Sequence, residues 1–228
     1  VQFQKATVFR KWYPKNEEEQ KPKKKNYWQK NKGKLNALRN ITRTNNYRKA
    51  RDSLIRYLGG HGCSNVECRF NDPRALNIEH IHDTGHLDDK RFSRDDDMFR
   101  YYLKHYDEAL ENLRIFCSNC NAIKEYERKK LLKKSDKPRN IKNREEYAIH
   151  RKLAVEILGG FICVHCGFKD HRALDFDHIH GKGALDRKSR KRYDELFTEV
   201  IENPDDSKKK FQILCRNCNE IKKNIAES

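Results

Sequence analysis

The chain has 228 residues, 36% hydrophobic and 37% charged, enough for one or two small domains but short of apolar material for one large core. Units that bury so little surface usually rely on disulfides or metals, and eight cysteines offer either. No run approaches the roughly 20 apolar residues of a spanning helix and the first ten residues lack the apolar run of a secretion signal, which argues against a membrane. The expected setting is the cytoplasm or another DNA-containing reducing compartment, where paired cysteines favour metal over disulfide.

The formal net charge of +17 is unevenly placed. Residues 1–58 carry 17 Lys and Arg against four acids, and residues 124–144 carry ten against three, so the remaining segments are slightly acidic. Basic arms around near-neutral units suggest a polyanion partner, most simply nucleic acid, with a solubility tail as the bland reading. Residues 1–45 are rich in Lys and Asn and weakly periodic, and read as a basic arm, partly disordered or folding on DNA. Its Lys23, Lys24 and Lys25 are candidates for phosphate contact. From Asn46 to Leu58, Tyr47, Leu54, Ile55 and Leu58 fall near helical spacing and Gly59-Gly60 stops the run. Glu145 to Leu158 repeats the pattern with Tyr147, Ile149, Leu153, Val155, Ile157 and Leu158 before Gly159-Gly160.

Each lead-in runs into one copy of an internal repeat. LGGHGCSNVECRFNDPRALNIEHIHDTGHLDDK from Leu58 matches LGGFICVHCGFKDHRALDFDHIHGKGALDRK from Leu158, and IFCSNCNAIK from Ile115 matches ILCRNCNEIK from Ile213. Cys68 and Cys166, His80 and His178, Cys117 and Cys215, and Cys120 and Cys218 all differ by 98 positions. Between the His and the second cysteine pair the sequence diverges while the length is kept, so the two ends must meet in space. The expected division is 1–45 basic arm, 46–128 first module, 129–144 basic linker and 145–228 second module.

Cys63, Cys68, Cys117 and Cys120 form one expected tetrahedral thiolate set, and Cys163, Cys166, Cys215 and Cys218 the other. Four Cys with no open position make a structural zinc site, and the repeated paired spacing disfavours disulfides or free thiols. The C-x4-C spacing of Cys63 and Cys68 is a looser fit than the C-x2-C of the other pairs. Ala173 to Ile179 alternates like a strand, with Leu174, Phe176 and His178 on one face and Asp177 on the other. Helices are expected to begin at Asn121 and Asn219.

An acid-His-Ile strand enclosed by two cysteine knuckles, and then C-x2-C-N-x2-K opening a helix, resembles the HNH endonuclease family, in particular its four-Cys zinc members. The resemblance covers Leu58 to about Arg128 and Leu158 to about Ala226. It implies an α+β fold of two tandem ββα-metal, treble-clef-like zinc modules with helical lead-ins. By that resemblance His178 and His80 are the general bases that activate water. Asp177 with Asn219, and Glu79 with Asn121, would hold a catalytic Mg²⁺ or Mn²⁺, beside two structural Zn²⁺. Asn112 matches the middle Asn that helps orient the base. The chemistry is consistent with these types: neutral His can take a proton at physiological pH, and hard oxygen ligands suit Mg²⁺ where thiolates suit zinc.

Both modules depart from the pattern. The first has Glu79 where Asp is usual, and the second has Lys210 at the place of Asn112. The second is therefore the expected active module, and the first a possible weaker one. Asn121 and Asn219 also read as simple helix N-caps, and an isolated His as a core residue, but the matched sets favour catalysis. Lys124 and Lys222 read equally as phosphate contacts or solvated residues, Arg74 and Arg172 as braces of the hairpin, and His82 and His180 as packing or phosphate contacts. The implied function is cleavage or nicking of double-stranded DNA in a restriction-like or homing-like role, by a monomer with two modules or a dimer. The rivals are a non-catalytic zinc module that binds DNA or RNA, a zinc scaffold for protein partners, and one live module beside a degenerate targeting one.

Overall fold

The computed structural model describes residues 17–60, 62–132, 137–181, 183–190, 192 and 194–226. Helix α1 (Glu17–Tyr57) leads into a short 3-10 turn (Pro73–Ala75) and strand β1 (Leu76–His80). Three short helices come next, α2 (Gly85–Arg91), α3 (Asp95–Tyr102) and α4 (Tyr106–Asn112). Strand β2 (Leu113–Cys117) and helix α5 (Ser118–Leu131) complete the first module. The second repeats the order: α6 (Pro138–Ile157), a 3-10 turn (His171–Ala173), β3 (Leu174–His178), α7 (Gly183–Ser189), α8 (Glu195–Glu202), α9 (Pro204–Lys210), β4 (Phe211–Cys215) and α10 (Arg216–Ala226).

Each module is thus a two-stranded antiparallel sheet and a helix, with three short helices inserted between the strands. The registers are parallel in the two copies: His80 pairs with Leu113 and Leu76 with Cys117, His178 with Phe211 and Leu174 with Cys215. This explains why the divergent segment keeps its length. The same three helices must return the chain to a fixed register opposite the histidine. The fold is α+β and built as a tandem of one unit. No helix among the described residues is long and apolar enough to cross a membrane.

Two expectations about the flanks change. The lead-in helix does not begin at Asn46: α1 runs unbroken from Glu17 through the Lys-rich segment. Lys, Glu, Gln, Arg and Leu lose little rotamer freedom in a helix, and Glu17, Glu18 and Glu19 sit at its positive N-terminal end. Residues 1–16 of the expected arm lie outside the described residues. The expected linker 129–144 is also mostly helical, since α5 continues to Leu131 and α6 starts at Pro138, a residue whose fixed φ suits a first helical position.

Among the residues whose burial is described, only the C-terminal ends of α1 and α6 are buried. Ala50, Leu54 and Ile55 pack in the first module, and Ala154, Val155 and Leu158 in the second, while Ile149 and Leu153 stay exposed despite their helical spacing. Tyr47 packs against Phe99 at 5.4 Å between ring centroids, and Tyr147 against Phe197 at 5.2 Å, tying each lead-in helix to the inserted helices. Arg151 donates to the carbonyl of Leu174 at 3.0 Å, and Arg51 makes the same bond to Leu76, so each lead-in also fixes the start of its strand. The stop signal is steric. Gly59 has φ +81°, and a Cβ on Gly60 would collide with the Ile55 carbonyl that its own N–H caps at 3.0 Å. Phe197, fully buried against Leu174, Val200 and Ile213, centres the second core. Truncating such a side chain typically costs about 3–5 kcal/mol.

Candidate active site and metal centres

The four sulfurs of Cys63, Cys68, Cys117 and Cys120 lie within 4.8 Å of one another, as do those of Cys163, Cys166, Cys215 and Cys218. The Cys68–Cys117 separation is 3.7 Å and Cys166–Cys215 is 3.6 Å. A tetrahedron with Zn–S bonds of about 2.3 Å has edges of about 3.8 Å, so both sets fit a zinc ion. No disulfide links any of the eight. The looser Cys63–Cys68 loop closes by a turn in which Cys68 N donates to Asn65 O at 2.8 Å, whereas the tighter knuckle uses Gly167 at φ +75°. Each knuckle is anchored to its sheet: Ser64 N donates to Ile115 O at 2.7 Å and Val164 N to Ile213 O at 3.1 Å.

Backbone donors surround the sulfurs. Cys117 N reaches Cys63 Sγ at 3.3 Å, Cys120 N reaches Cys117 Sγ at 3.4 Å and Cys218 N reaches Cys215 Sγ at 3.5 Å. A hydrogen bond from Cys120, side chain first and then backbone, brings the Cys117 thiol down to about 5. At Cys163 burial opposes ionisation, but donors from Cys215, Cys166 and His165 outweigh it and lower the thiol to about 7. Burial holds Cys215 up at about 11, a proton that a metal would have to displace.

The modules meet through these knuckles. Asn119 N donates to Asn217 Oδ1 at 2.9 Å, and Asn217 N donates to Asn119 Oδ1 at 3.0 Å. Both residues are buried on the second positions of α5 and α10, so each amide caps the first turn of the other module's helix. The same side chains reach across to sulfur, Asn217 to Cys117 and Asn119 to Cys215. Around this pair, Arg172 donates to Glu127 at 2.7 Å and Asn224 to the Arg74 carbonyl at 3.0 Å. Arg172 and Arg74 also clamp Asp170 and Asp72, two residues back in the turn that precedes each strand.

His80 and His178 end their strands. Their imidazoles face the inserted helices. His80 Nε2 lies 2.9 Å from Asp88 Oδ2 on α2, in a hydrogen bond, and Tyr102 donates to the same oxygen at 2.8 Å. His178 Nε2 lies 3.1 Å from Asp186 Oδ2 on α7. That contact is at ion-pair distance but poorly directed, leaving this buried nitrogen without a hydrogen bond. Asp186 is shared with Arg190, 2.7 Å away, and Arg190 continues to Glu199, which Lys210 also holds at 2.9 Å. Arg190 is the main cause of a lowered Asp186 carboxyl. His178, Gly183, Asp186, Arg187, Arg190 and Arg192 line a cavity of about 270 Å³.

The other expected site residues are engaged elsewhere. The Asp177 carboxylate, nearly buried, accepts from Lys222 at 2.6 Å and Gln212 at 2.7 Å. Glu79 accepts from Arg114 at 2.7 Å and from Lys124, which also binds Asp83. Lys222 and Lys124 further donate to the His178 and His80 carbonyls, at 2.6 and 3.3 Å. Asn121 and Asn219 are not N-caps. The helices begin at Ser118 and Arg216, with Cys117 as the cap of α5. Both amides instead line a cleft of about 640 Å³ between the modules, whose walls include neither Glu79 nor Asp177. Asn112 turns its side chain to the Glu108 carbonyl at 2.8 Å, and its own carbonyl accepts from Ile81 N at 2.8 Å. Lys210 repeats that backbone bond to Ile179 N at 2.9 Å, so the middle position acts through its backbone in both modules. Lys24 and Lys25 lie exposed on α1, while the side chain of Lys23 is outside the described residues.

Asp88 and Asp186 are not among the residues the sequence pattern singles out. Their signal is the Gly-x-Leu-Asp that ends the matched repeat, from Gly85 and from Gly183, at the same 98-residue spacing. Comparison with family models, curated proteins and solved structures gives no match for the chain.

Proposed function

We propose that the chain is a two-module DNA endonuclease of the HNH type, stapled by a zinc ion in each four-Cys set. The observation that carries the reading is the pair of strand-end histidines, each facing an acid-bearing helix, with His178 on the wall of a cavity that holds three arginines. Arginine suits a phosphodiester because its planar fork matches phosphate oxygens. In the reaction the imidazole takes a proton from water, the resulting hydroxide forms a bond to phosphorus, the P–O3′ bond breaks, and the 3′ oxygen is protonated by solvent. The basic face of α1, with Lys24 and Lys25, tracks the duplex backbone.

The family resemblance also implies a catalytic Mg²⁺ or Mn²⁺ at Asp177 with Asn219 and at Glu79 with Asn121. As arranged, these residues do not fit the ion. The carboxylates are spent on Lys222 and Lys124, and the amides line another cleft. No step of the reaction is therefore routed through a divalent cation. The same pairing favours the second reading, a zinc module that binds DNA or RNA without cutting it, because an ammonium stands where a nuclease would expose a carboxylate.

Conversion of supercoiled plasmid by the full chain, with Mg²⁺ or Mn²⁺ and with EDTA, separates the two. Nicked or linear product lost in His178→Ala supports the nuclease. Tight, salt-sensitive binding of plasmid and genomic DNA with no product from either supports the binding module.

A further inference from the structure

Asp88 and Asp186 occupy equivalent places in the two modules, four positions into α2 and α7 as these helices are bounded, and each has a carboxylate oxygen within 3.1 Å of its histidine's Nε2. Asp88 is buried, and its Oδ2 is committed to His80 and the Tyr102 hydroxyl together. On the opposite edge of each ring sits a glycine. A Cβ at Gly85 would stand 3.2 Å from His80 Nδ1, and one at Gly183 would stand 3.0 Å from His178 Nδ1. Neither glycine has a positive φ. The backbone does not require glycine there, so what the missing side chain provides is room beside Nδ1. Carboxylate on one edge and space on the other are two independent features, and both recur at a spacing of 98 residues.

We propose that Asp88 is the positioning residue of His80, its hydrogen bond fixing the Nε2–H tautomer so that Nδ1, over the glycine, is the nitrogen that receives the water proton, and that Asp186 has the equivalent place beside His178. This rests on the nuclease reading for its purpose but not for its geometry. A neutral imidazole carries one proton on one of two nitrogens, and a carboxylate can accept only from the protonated one. Anchoring Nε2 therefore selects the tautomer as well as the ring angle. The family resemblance implies that the middle Asn orients the base. Here Asn112 is turned away to Glu108, Lys210 is turned to Glu199, and the acid of the Gly-x-Leu-Asp element stands against the ring.

The modules differ in how the acid is held. In the first, a neutral hydroxyl leaves the full carboxylate charge to the imidazole. In the second, Arg190 shares Asp186 and is itself pinned by Glu199. The first dyad is a made hydrogen bond, whereas in the second the carboxylate lies 3.1 Å from Nε2 without being directed at it, and the guanidinium holds it there.

The test joins a readout that needs no activity to one that does. Long-range ¹H–¹⁵N spectra of the zinc-loaded full chain report the tautomer of each histidine. The expected result is Nε2–H at His80 in the native chain and a mixture of tautomers in Asp88→Ala. Retention of a single tautomer in that variant overturns the assignment, whatever the protein does to DNA. In the plasmid assay, the isosteric Asp88→Asn and Asp186→Asn together lower kcat on the order of 10²-fold with KM within about twofold, since a base is misaligned and no substrate contact is lost. An unchanged kcat in a chain that cuts also overturns it. If the native chain does not cut, the nuclease reading fails while the spectra still decide the dyad.

Discussion

Asn119 and Asn217 exchange backbone-to-side-chain hydrogen bonds of 2.9 and 3.0 Å across the boundary between the modules. Each residue lies in the middle of a C-x2-C knuckle, between Cys117 and Cys120 or between Cys215 and Cys218. Its amide therefore serves the other module's helix start and the other module's sulfur. The outer shell of each four-Cys set is completed in trans, and the two modules are one unit at their knuckles although their cores are separate.

Loss of one amide should consequently be felt at the opposite metal. Asn217→Ala is expected to weaken zinc retention at Cys63, Cys68, Cys117 and Cys120 by about 10- to 100-fold, the usual effect of removing an outer-shell partner, while its own module's site changes less. Zinc release to a colorimetric chelator, with each site isolated by serine substitutions in the other, measures this. Equal release from the distant site in the variant and the native chain would show that the knuckles act independently.

The room beside Nδ1 can be closed directly. Gly183→Ala places a methyl 3.0 Å from the His178 ring nitrogen at a backbone position that tolerates it. Cleavage by the second module is expected to fall at least tenfold, a loss of about 1.4 kcal/mol in transition-state stabilisation, with thermal stability nearly unchanged. Gly167→Ala, at φ +75° in the zinc knuckle, is the contrast: it is expected to lower stability first. A Gly183→Ala chain that cuts at the native rate would show that the space beside Nδ1 has no use in the reaction.

The repeat, the two cysteine sets and the strands ending at His80 and His178 are legible in the sequence because each depends on local spacing. C-x2-C and period-two alternation are properties of a few neighbouring residues. The features that stay hidden depend on three-dimensional pairing. Asp88 reaches His80 only because the inserted helices fold back on the strand, so its Gly-x-Leu-Asp element is legible as the tail of the repeat while its contact with the histidine is not. Asn121 and Asn219 look like helix starts because the two residues before each pair's last cysteine resemble loop, whereas Cys117 itself caps α5. The helix through residues 17–45 is obscured by its composition. With no apolar face to bury, Lys-rich sequence gives no periodic signal, although its residues are good helix formers.

Lys222 tests the disagreement over the divalent cation. Its ammonium lies 2.6 Å from Asp177 Oδ2 and also holds the His178 carbonyl, so an ion at Asp177 must displace it. Lys222→Met keeps the length of the side chain and removes the charge. If Asp177 is a metal ligand, the Mg²⁺ concentration needed for half-maximal cleavage falls severalfold in the variant. If the ammonium is itself the cation the reaction uses, cleavage is lost at every Mg²⁺ concentration. Metal titrations of the plasmid assay distinguish these outcomes.

Acidification should reach the second module through Arg190. Its guanidinium is the main force lowering the Asp186 carboxyl, and at Glu199, where burial is the largest effect and pushes the carboxyl up, Arg190 and Lys210 together outweigh it. Both groups bind a proton less readily in the folded chain than in the unfolded one. Their stabilisation is therefore complete above the ordinary carboxylate values of 3.8 and 4.5, and is lost as pH falls through the lowered folded values. Arg190→Met raises the Asp186 carboxyl toward ordinary behaviour and leaves Glu199 with Lys210 as its remaining cation. The variant is expected to begin acid unfolding at higher pH than the native chain, and Phe197 and Tyr147, packed at 5.2 Å, give a near-ultraviolet signal local to this module. Coincident acid transitions in the two chains would mean that the Arg190 pairs contribute nothing beyond what solvent supplies.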